Sequence, residues 1–460
     1  MQPQIYEKFR IFVSVMKRYY ALIVLFLLLT GTAFAQGAAF DTHFTDATLR
    51  LDYVFCGDAS RQEIYLRQML RTSAWAGRRH HLEQPLLRGN GQIRVLDPAT
   101  GACLYANSFS SLFQEWTGTE EAVRVPRAFE NSFQLPWPKH PVNVEVTLWD
   151  THGRVSAHIC HPVNPEDILI RPLADTGLPV QLVHGGAPSA EAIDIVIVSE
   201  GYAADDEEKF FHDARRAADA LFSHEPFQGR AGDFTVRAVF APSADSGVSI
   251  PHEGAWRNTL VSSHFDTFYT ERYLTTPAIW QVWDIIGTLP CEQVIVLVNT
   301  PVYGGGGIYN NITIMNSDHP TFVPVLVHEF GHAFGGLGDE YFSDDMFETP
   351  YPADTEPWEP NLTTLVAFDS KWADLLPAGT PVPTPVDALE KQDVRRIWHT
   401  LSPEDKAVLN RKPGVFEGGG YMSHGVYRPV QECRMKINEC EQFCPVCERA
   451  ILQMIDYYTD

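Results

Sequence analysis

Basic residues are scarce: Lys and Arg total 35 against 58 Asp and Glu, a formal net charge of −23 over 460 residues. That field repels phosphate backbones and anionic headgroups, which disfavours nucleic acid or an anionic membrane as partner and leaves only local basic pockets open. Gly and Pro, at 32 each, are not in excess, which excludes a collagen-like or mainly low-complexity chain. Charged residues make up 20% and hydrophobic ones 45%, so wholesale disorder is excluded too. Length suggests two or three folding units. Long apolar runs are also missing, apart from one near the start.

That run, Ala21 to Leu29, follows Lys17-Arg18 and ends at Thr30-Gly31-Thr32, short of the roughly 20 residues that span a bilayer. Ala33-Phe34-Ala35 then supplies a cleavage site, so residues 1–35 read as a secretory signal cut before Gln36. The expectation is an exported chain, secreted, periplasmic or at the cell surface, with no membrane span after processing. In an oxidising compartment the eight cysteines favour disulfides. One or two are expected within Cys433, Cys440, Cys444 and Cys447, with a four-thiolate zinc site as the alternative.

Two textures divide the remainder. Residues 36–170 carry short alternating segments between turns, such as Thr48 to Phe55, Gln92 to Leu96 and Val142 to Trp149, a pattern that predicts an antiparallel β-sandwich domain. The histidines His80-His81 and His158 to His161 fall on opposite strand faces and read as structural. Residues 171–190, rich in Pro and Gly, read as a linker. From 191 onward Ile193 to Val198 predicts a strand buried on both faces, Asp205 to Glu208 opens a helix, and strands follow at Phe234 to Phe240 and Gln293 to Asn299. The fold class is therefore α+β, with an α/β layer domain after the sandwich. Ser199 ends a strand before a turn, but position 197 is Ile where a serine-hydrolase elbow needs Gly, so it is no nucleophile.

The chemistry lies in Val327-His328-Glu329-Phe330-Gly331-His332-Ala333-Phe334-Gly335-Gly336-Leu337-Gly338-Asp339-Glu340-Tyr341. An apolar stripe predicts a helix from near Pro320, and residues four apart share a face, so His328 and His332 can take two corners of one zinc ion. Glu329 points beside the metal, where it can deprotonate a zinc-bound water. Gly335-Gly336 ends the helix, and the chain then folds back to present Asp339, preferred, or Glu340 as third ligand.

This run closely resembles the bacterial zinc-peptidase family typified by an IgA-hinge-cleaving peptidase. The likeness extends through Ser199 to Tyr202, Glu225 to Phe227, Gly414 to Tyr421, Tyr427-Arg428-Pro429, Cys433-Arg434-Met435 and Phe443 to Cys447. The resemblance implies a zincin-like, metzincin-like catalytic domain over 191–460, with His328, His332 and Asp339 as zinc ligands and Glu329 as catalytic residue. Met435 then packs beneath the metal. Two departures stand out: Gly338 occupies the position six after the second His where metzincins place the third ligand, and Ile437 stands where some relatives carry an oxyanion-stabilising Tyr. Tyr427, His424 and Arg428 are the candidates for that role.

Ile308 to Met315 reads either as a strand entering the motif helix, at the sheet edge where an extended substrate could pair, or equally as a mobile surface hairpin. The leading function is an exported zinc endopeptidase with one catalytic Zn²⁺ acting on protein or peptide. The alternatives are a zinc hydrolase of a non-protein amide, such as a cell-wall crosslink, and a binding protein with a dormant or structural zinc site. Oligomeric state and cleaved bond are left open by the sequence.

Overall fold

The computed structural model describes residues 40–72, 74–342, 350–386 and 394–459. The signal segment 1–35 lies outside the described residues.

The N-terminal part is built of strands β1 (Phe44–Gly57), β2 (Gln62–Thr72), β3 (Gly91–Leu96), β4 (Cys103–Phe109), helix α1 (Leu112–Thr117), and strands β5 (Arg127–Pro138), β6 (Val142–Trp149), β7 (Val155–Val163) and β8 (Arg171–Pro172). They form two four-stranded sheets, ordered β5-β1-β2-β8 and β4-β3-β6-β7. All pairs are antiparallel except β2 with β8. Strand β6 shows why: Val142, Val144, Val146 and Leu148 alternate inward between half-exposed neighbours. They meet Phe55, Phe109, Phe133 and Leu135 in one apolar cluster fed by both sheets. At about 1.5–3 kcal/mol for each fully buried large side chain, this cluster is what holds the two sheets together.

The rest is a second, mixed α/β unit. Its elements are β9 (Val180–His184), β10 (Ile193–Glu200), α2 (Glu207–Phe222), β11 (Phe234–Val239), α3 (Ile279–Ile286), β12 (Gln293–Val298), β13 (Gly305–Ile308), β14 (Ile312–Asn316), α4 (Phe322–Ala333), α5 (Pro403–Asn410), β15 (Phe416–Gly419), β16 (Met422–Arg428) and α6 (Pro445–Thr459). Six strands line up as β13-β14-β12-β10-β11-β9. The central four run parallel, and both edge strands are antiparallel. Every residue of β10 is buried, because helices cover both faces. Ile193, Ile195 and Ile197 pack with α2, α4 and α6, whereas Val196 and Val198 pack with Val282, Ile285 and Ile286 of α3.

Two segments differ from the sequence expectation. The stretch read as a linker contributes β8 to one sheet and β9 to another, since Val180 to His184 offers a backbone that completes the open side of β11. Of the two readings of Ile308 to Met315 the hairpin is the one found, packed into the sheet rather than on the surface and turned at Tyr309–Asn311 with Asn310 at φ 48°. The edge strand is therefore β13, and Tyr273 already bridges its outer side at Gly305. Helical structure read near Asp387 to Thr400 is present as a short helix at Val394–Ile397, and the start of that segment lies outside the described residues.

The two parts are joined by polar contacts of buried groups. Arg50 of β1 is 1% exposed and its guanidinium meets Asp52 at 2.8 Å, Asp284 at 2.7 Å and the Trp280 carbonyl at 3.0 Å. The β13–β14 turn docks on the N-terminal part: Tyr309 O accepts from Ser110 N at 2.9 Å and Asn310 Nδ2 donates to Ser108 O at 2.7 Å. The site helix and the N-terminal sheets are thereby fixed to one hairpin.

Candidate metal centre and active site

Helix α4 carries the two histidines. Its inner side, Phe322, Val325, Leu326, Val327 and Phe330, sits in the core and leaves His328, Glu329 and His332 half-buried. The helix can lie close to its neighbours because two glycines lack side chains. A Cβ on Gly331 would come within 3.0 Å of Met435 Sδ, and a Cβ on Gly307 of β13 would reach 2.1 Å from the Glu329 carbonyl oxygen. Met435 is fully buried against α4, one residue before the second histidine.

Gly336, at φ 62°, takes the left-handed conformation that ends helices, and the amides of Gly336 and Leu337 bond back to the carbonyls of His332 and Gly331. The chain that returns is clamped by Asn361, whose side chain bonds Gly338 N at 2.7 Å and Gly338 O at 2.9 Å. This turn delivers Asp339 to the imidazoles, whereas Glu340 points away to a cysteine cluster. Gly338, just before Asp339, packs so closely that a Cβ there would come within 2.5 Å of Leu362.

Three ligand atoms converge. His328 Nε2 and His332 Nε2 are 3.0 Å apart, and Asp339 Oδ1 lies 3.1 and 3.3 Å from them. Donors bound about 2.0–2.1 Å from one tetrahedral ion lie roughly 3.3–3.4 Å apart, so the triangle fits with small adjustments. The other ring nitrogens are taken: His328 Nδ1 faces Arg434 O at 3.0 Å and His332 Nδ1 faces Leu337 O at 2.6 Å. Each Nδ1 therefore holds its proton and each Nε2 presents a lone pair, the arrangement that metal-binding histidines use. Two lone pairs facing each other at 3.0 Å repel unless a cation stands between them. Apart from the two imidazoles, Asp339 Oδ1 is buried with no hydrogen-bond partner, which repeats the point.

Electrostatics agree. Burial works against it, yet the Asp339 carboxylate raises the His332 imidazole to about 9. Asp339, despite its burial, is held far below the usual carboxylate range by the two imidazoles. A proton here does what a cation would do. Burial lifts the Glu329 carboxyl above its ordinary value, opposed by the same imidazoles.

The surroundings contain residues that sequence reasoning missed. Tyr421 donates its hydroxyl to Asp339 Oδ2, and its ring meets Tyr341 edge-on with centroids 5.2 Å apart. Arg272 stacks over Tyr341 at 5.7 Å, and Tyr273 donates to Glu115 of α1, so the N-terminal part borders the site. The signal for Tyr421 was the preceding glycine run: Gly418, Gly420 and Tyr421 have φ of 96°, 56° and 65°. The three residues named from sequence are placed elsewhere. Arg428 holds the carbonyls of Glu417 and Gly418 at 2.7 Å each, His424 is 84% exposed beside Glu417, and Tyr427 pairs with Thr363 on β16.

The histidines His80, His81, His158 and His161 join no metal-capable group among the described residues, and His161 instead meets the Tyr53 hydroxyl at 2.7 Å. Ser199 is buried and exchanges hydrogen bonds with the backbone of Ala241. The expected disulfides are absent: all eight cysteines are free, and Cys433 Sγ lies 3.9 Å from Cys447 Sγ.

A mixed sheet packed on an H-E-x-x-H helix, with a carboxylate returning from the loop behind it, defines the class of metal-dependent hydrolases. Residues 180–455 match the family described as IgA Peptidase M64, and residues 39–159 match the one described as Peptidase M64 N-terminus. The chain belongs to the IgA Peptidase M64 family, and so is a metallopeptidase with protein or peptide as its substrate class. No curated protein gives a significant match.

Proposed function

We propose that the chain is an exported zinc endopeptidase whose metal is held by His328, His332 and Asp339. The convergence of two imidazole Nε2 atoms on one buried carboxylate oxygen that has no other partner carries this reading. When bound, zinc supplies Lewis acidity, lowering the pKa of a water it holds to about 7 and polarising a carbonyl. Glu329, beside the two ligands on the same helix, takes the proton of the attacking water and returns it to the departing amine nitrogen. Burial raises that carboxyl above its ordinary value, which makes the carboxylate the stronger base. The Tyr421 hydroxyl orients Asp339 through the oxygen not facing the imidazoles.

The N-terminal β-sandwich serves as a companion that braces the β13–β14 hairpin against the site helix. Export rests on the basic-apolar-small pattern of residues 1–35. No helix among the described residues is long and apolar enough to cross a membrane.

The test is cleavage of an unfolded protein and a peptide library, beside purified peptidoglycan, with and without chelator. The proposal requires cleavage of internal peptide bonds that chelation stops. Turnover of peptidoglycan alone would transfer the site to a non-protein amide.

A further inference from the structure

A second cluster lies behind the first. Glu340, Cys433, Cys444 and Cys447 are all buried, and their ligand atoms lie within 4.8 Å of one another. Cys433 Sγ and Cys447 Sγ are 3.9 Å apart, and Cys447 Sγ is 3.1 Å from Glu340 Oε1. A disulfide requires about 2.05 Å, whereas thiolates bound about 2.3 Å from a tetrahedral zinc stand roughly 3.8 Å apart. Glu340 Oε1 also accepts from Asn361 Nδ2 at 3.0 Å, while Glu340 Oε2 is buried with no hydrogen-bond partner. A fully buried carboxylate with one orphaned oxygen is costly unless a cation meets it.

We propose that Cys433, Cys444, Cys447 and Glu340 bind a second, structural zinc ion or similar thiophilic divalent cation. The spacing supports it: Cys444 and Cys447 form a C-x-x-C pair at the start of α6, where the helix end favours thiolates. The amide of Cys444 points at Cys433 Sγ from 3.3 Å, the kind of N–H donor that steadies a metal-bound sulfur. Arg411, paired with Glu448 at 2.6 Å and bonded to the Phe443 carbonyl at 3.0 Å, adds positive charge near Cys444 and Cys433. Binding releases the three thiol protons to solvent as three metal–sulfur bonds form. Four protein ligands leave no open position, which makes the site structural.

Its place explains its use. Glu340 follows Asp339 directly, and Cys433 precedes Arg434, whose carbonyl holds His328. The second ion ties the Asp339 loop, the Met435 turn and α6 together, so it positions the first centre without touching substrate. Cys440 is outside the cluster: its thiol contacts the Gln442 carbonyl at 3.4 Å, and Glu340 takes the place that spacing alone gives to Cys440.

The experiment uses the full chain purified without reductant. Wild type should carry two divalent ions, and the cobalt-substituted protein should show a thiolate-to-cobalt charge-transfer band in the near ultraviolet. His328→Ala with His332→Ala should drop to one ion and keep the band, and so should lose only the first centre. Cys444→Ser with Cys447→Ser should lose the band and one ion, and Cys440→Ser should keep both. In denaturant with chelator and no reductant, Cys433, Cys444 and Cys447 should all alkylate. If the serine double variant fails to fold, the wild-type band and thiol count still decide. No thiolate band in cobalt-substituted wild type, an ion count left unchanged by Cys444→Ser with Cys447→Ser, or thiols freed only by reductant would each overturn the proposal.

Discussion

Replacing Gly307 by Ala tests whether β13 sets the position of the site helix. An added Cβ would sit 2.1 Å from the Glu329 carbonyl oxygen and 3.0 Å from His332 Cβ. The first contact is about 1.3 Å short of an ordinary van der Waals approach, and the obstacle is helical backbone that cannot rotate away. Strand and helix must separate by a comparable distance. Overpacking of this kind costs about 1–3 kcal/mol, and a displacement of about 1 Å at a reacting group costs on the order of 100-fold in rate. Urea unfolding should therefore show a lower midpoint, and kcat/KM on a peptide substrate should fall on the order of 100-fold. Gly232→Ala is the control, because its Cβ meets nothing within 4 Å and the change should leave both unaffected or stability slightly raised. A Gly307→Ala enzyme with unchanged midpoint and unchanged kcat/KM would refute the idea that β13 buttresses Glu329.

Other outcomes follow from the same geometry. Glu329→Gln keeps the shape and the three ligand atoms, so it should retain metal while kcat falls about 10²–10⁴-fold; metal analysis beside steady-state kinetics checks both halves. In the metal-free protein, the His332 imidazole is raised from 6.5 to about 9. A raised folded value stabilises fully below the unfolded pKa of about 6.5 and is lost as pH climbs through about 9, so the thermal midpoint of chelated protein should decline across that window. Zinc replaces that proton, and the zinc-loaded protein should not show the decline. Arg50→Met removes one partner of a buried ion pair and leaves the Asp52 charge with only the Gln68 hydrogen bond, at a cost of about 3–5 kcal/mol. Limited proteolysis of that variant should cut sooner between the N-terminal sheets and β9.

Much of the catalytic unit was legible because its signals are local. Ile193 to Val198 has no polar residue to spare except Asp194, and it became a central strand; the four-residue spacing of His328 and His332 needs only a helix to pair them. Asp339 was harder, since its approach depends on the Gly336 turn and on Asn361, which is distant in sequence. Tyr273 and Glu115 were invisible, and Tyr421 was marked only by its glycine run, because tertiary packing alone brings three separate segments to one place. The Tyr309–Asn311 turn was legible only as one of two readings of a β-prone run, because Asn310 at positive φ reverses the chain without a glycine. The cysteines misled because expected export favoured disulfides in the tail, and cysteine spacing does not show that Glu340, not Cys440, gathers with Cys433, Cys444 and Cys447.

The most direct test removes and restores the ion. Wild type and His332→Ala are stripped with chelator, titrated with zinc, and assayed for cleavage of an unfolded protein. Stripped wild type should be inactive and recover on zinc addition, and His332→Ala should stay inactive throughout. Cleavage that survives complete metal removal, or that persists in His332→Ala, would contradict the central claim that two imidazoles and Asp339 hold the ion on which turnover depends.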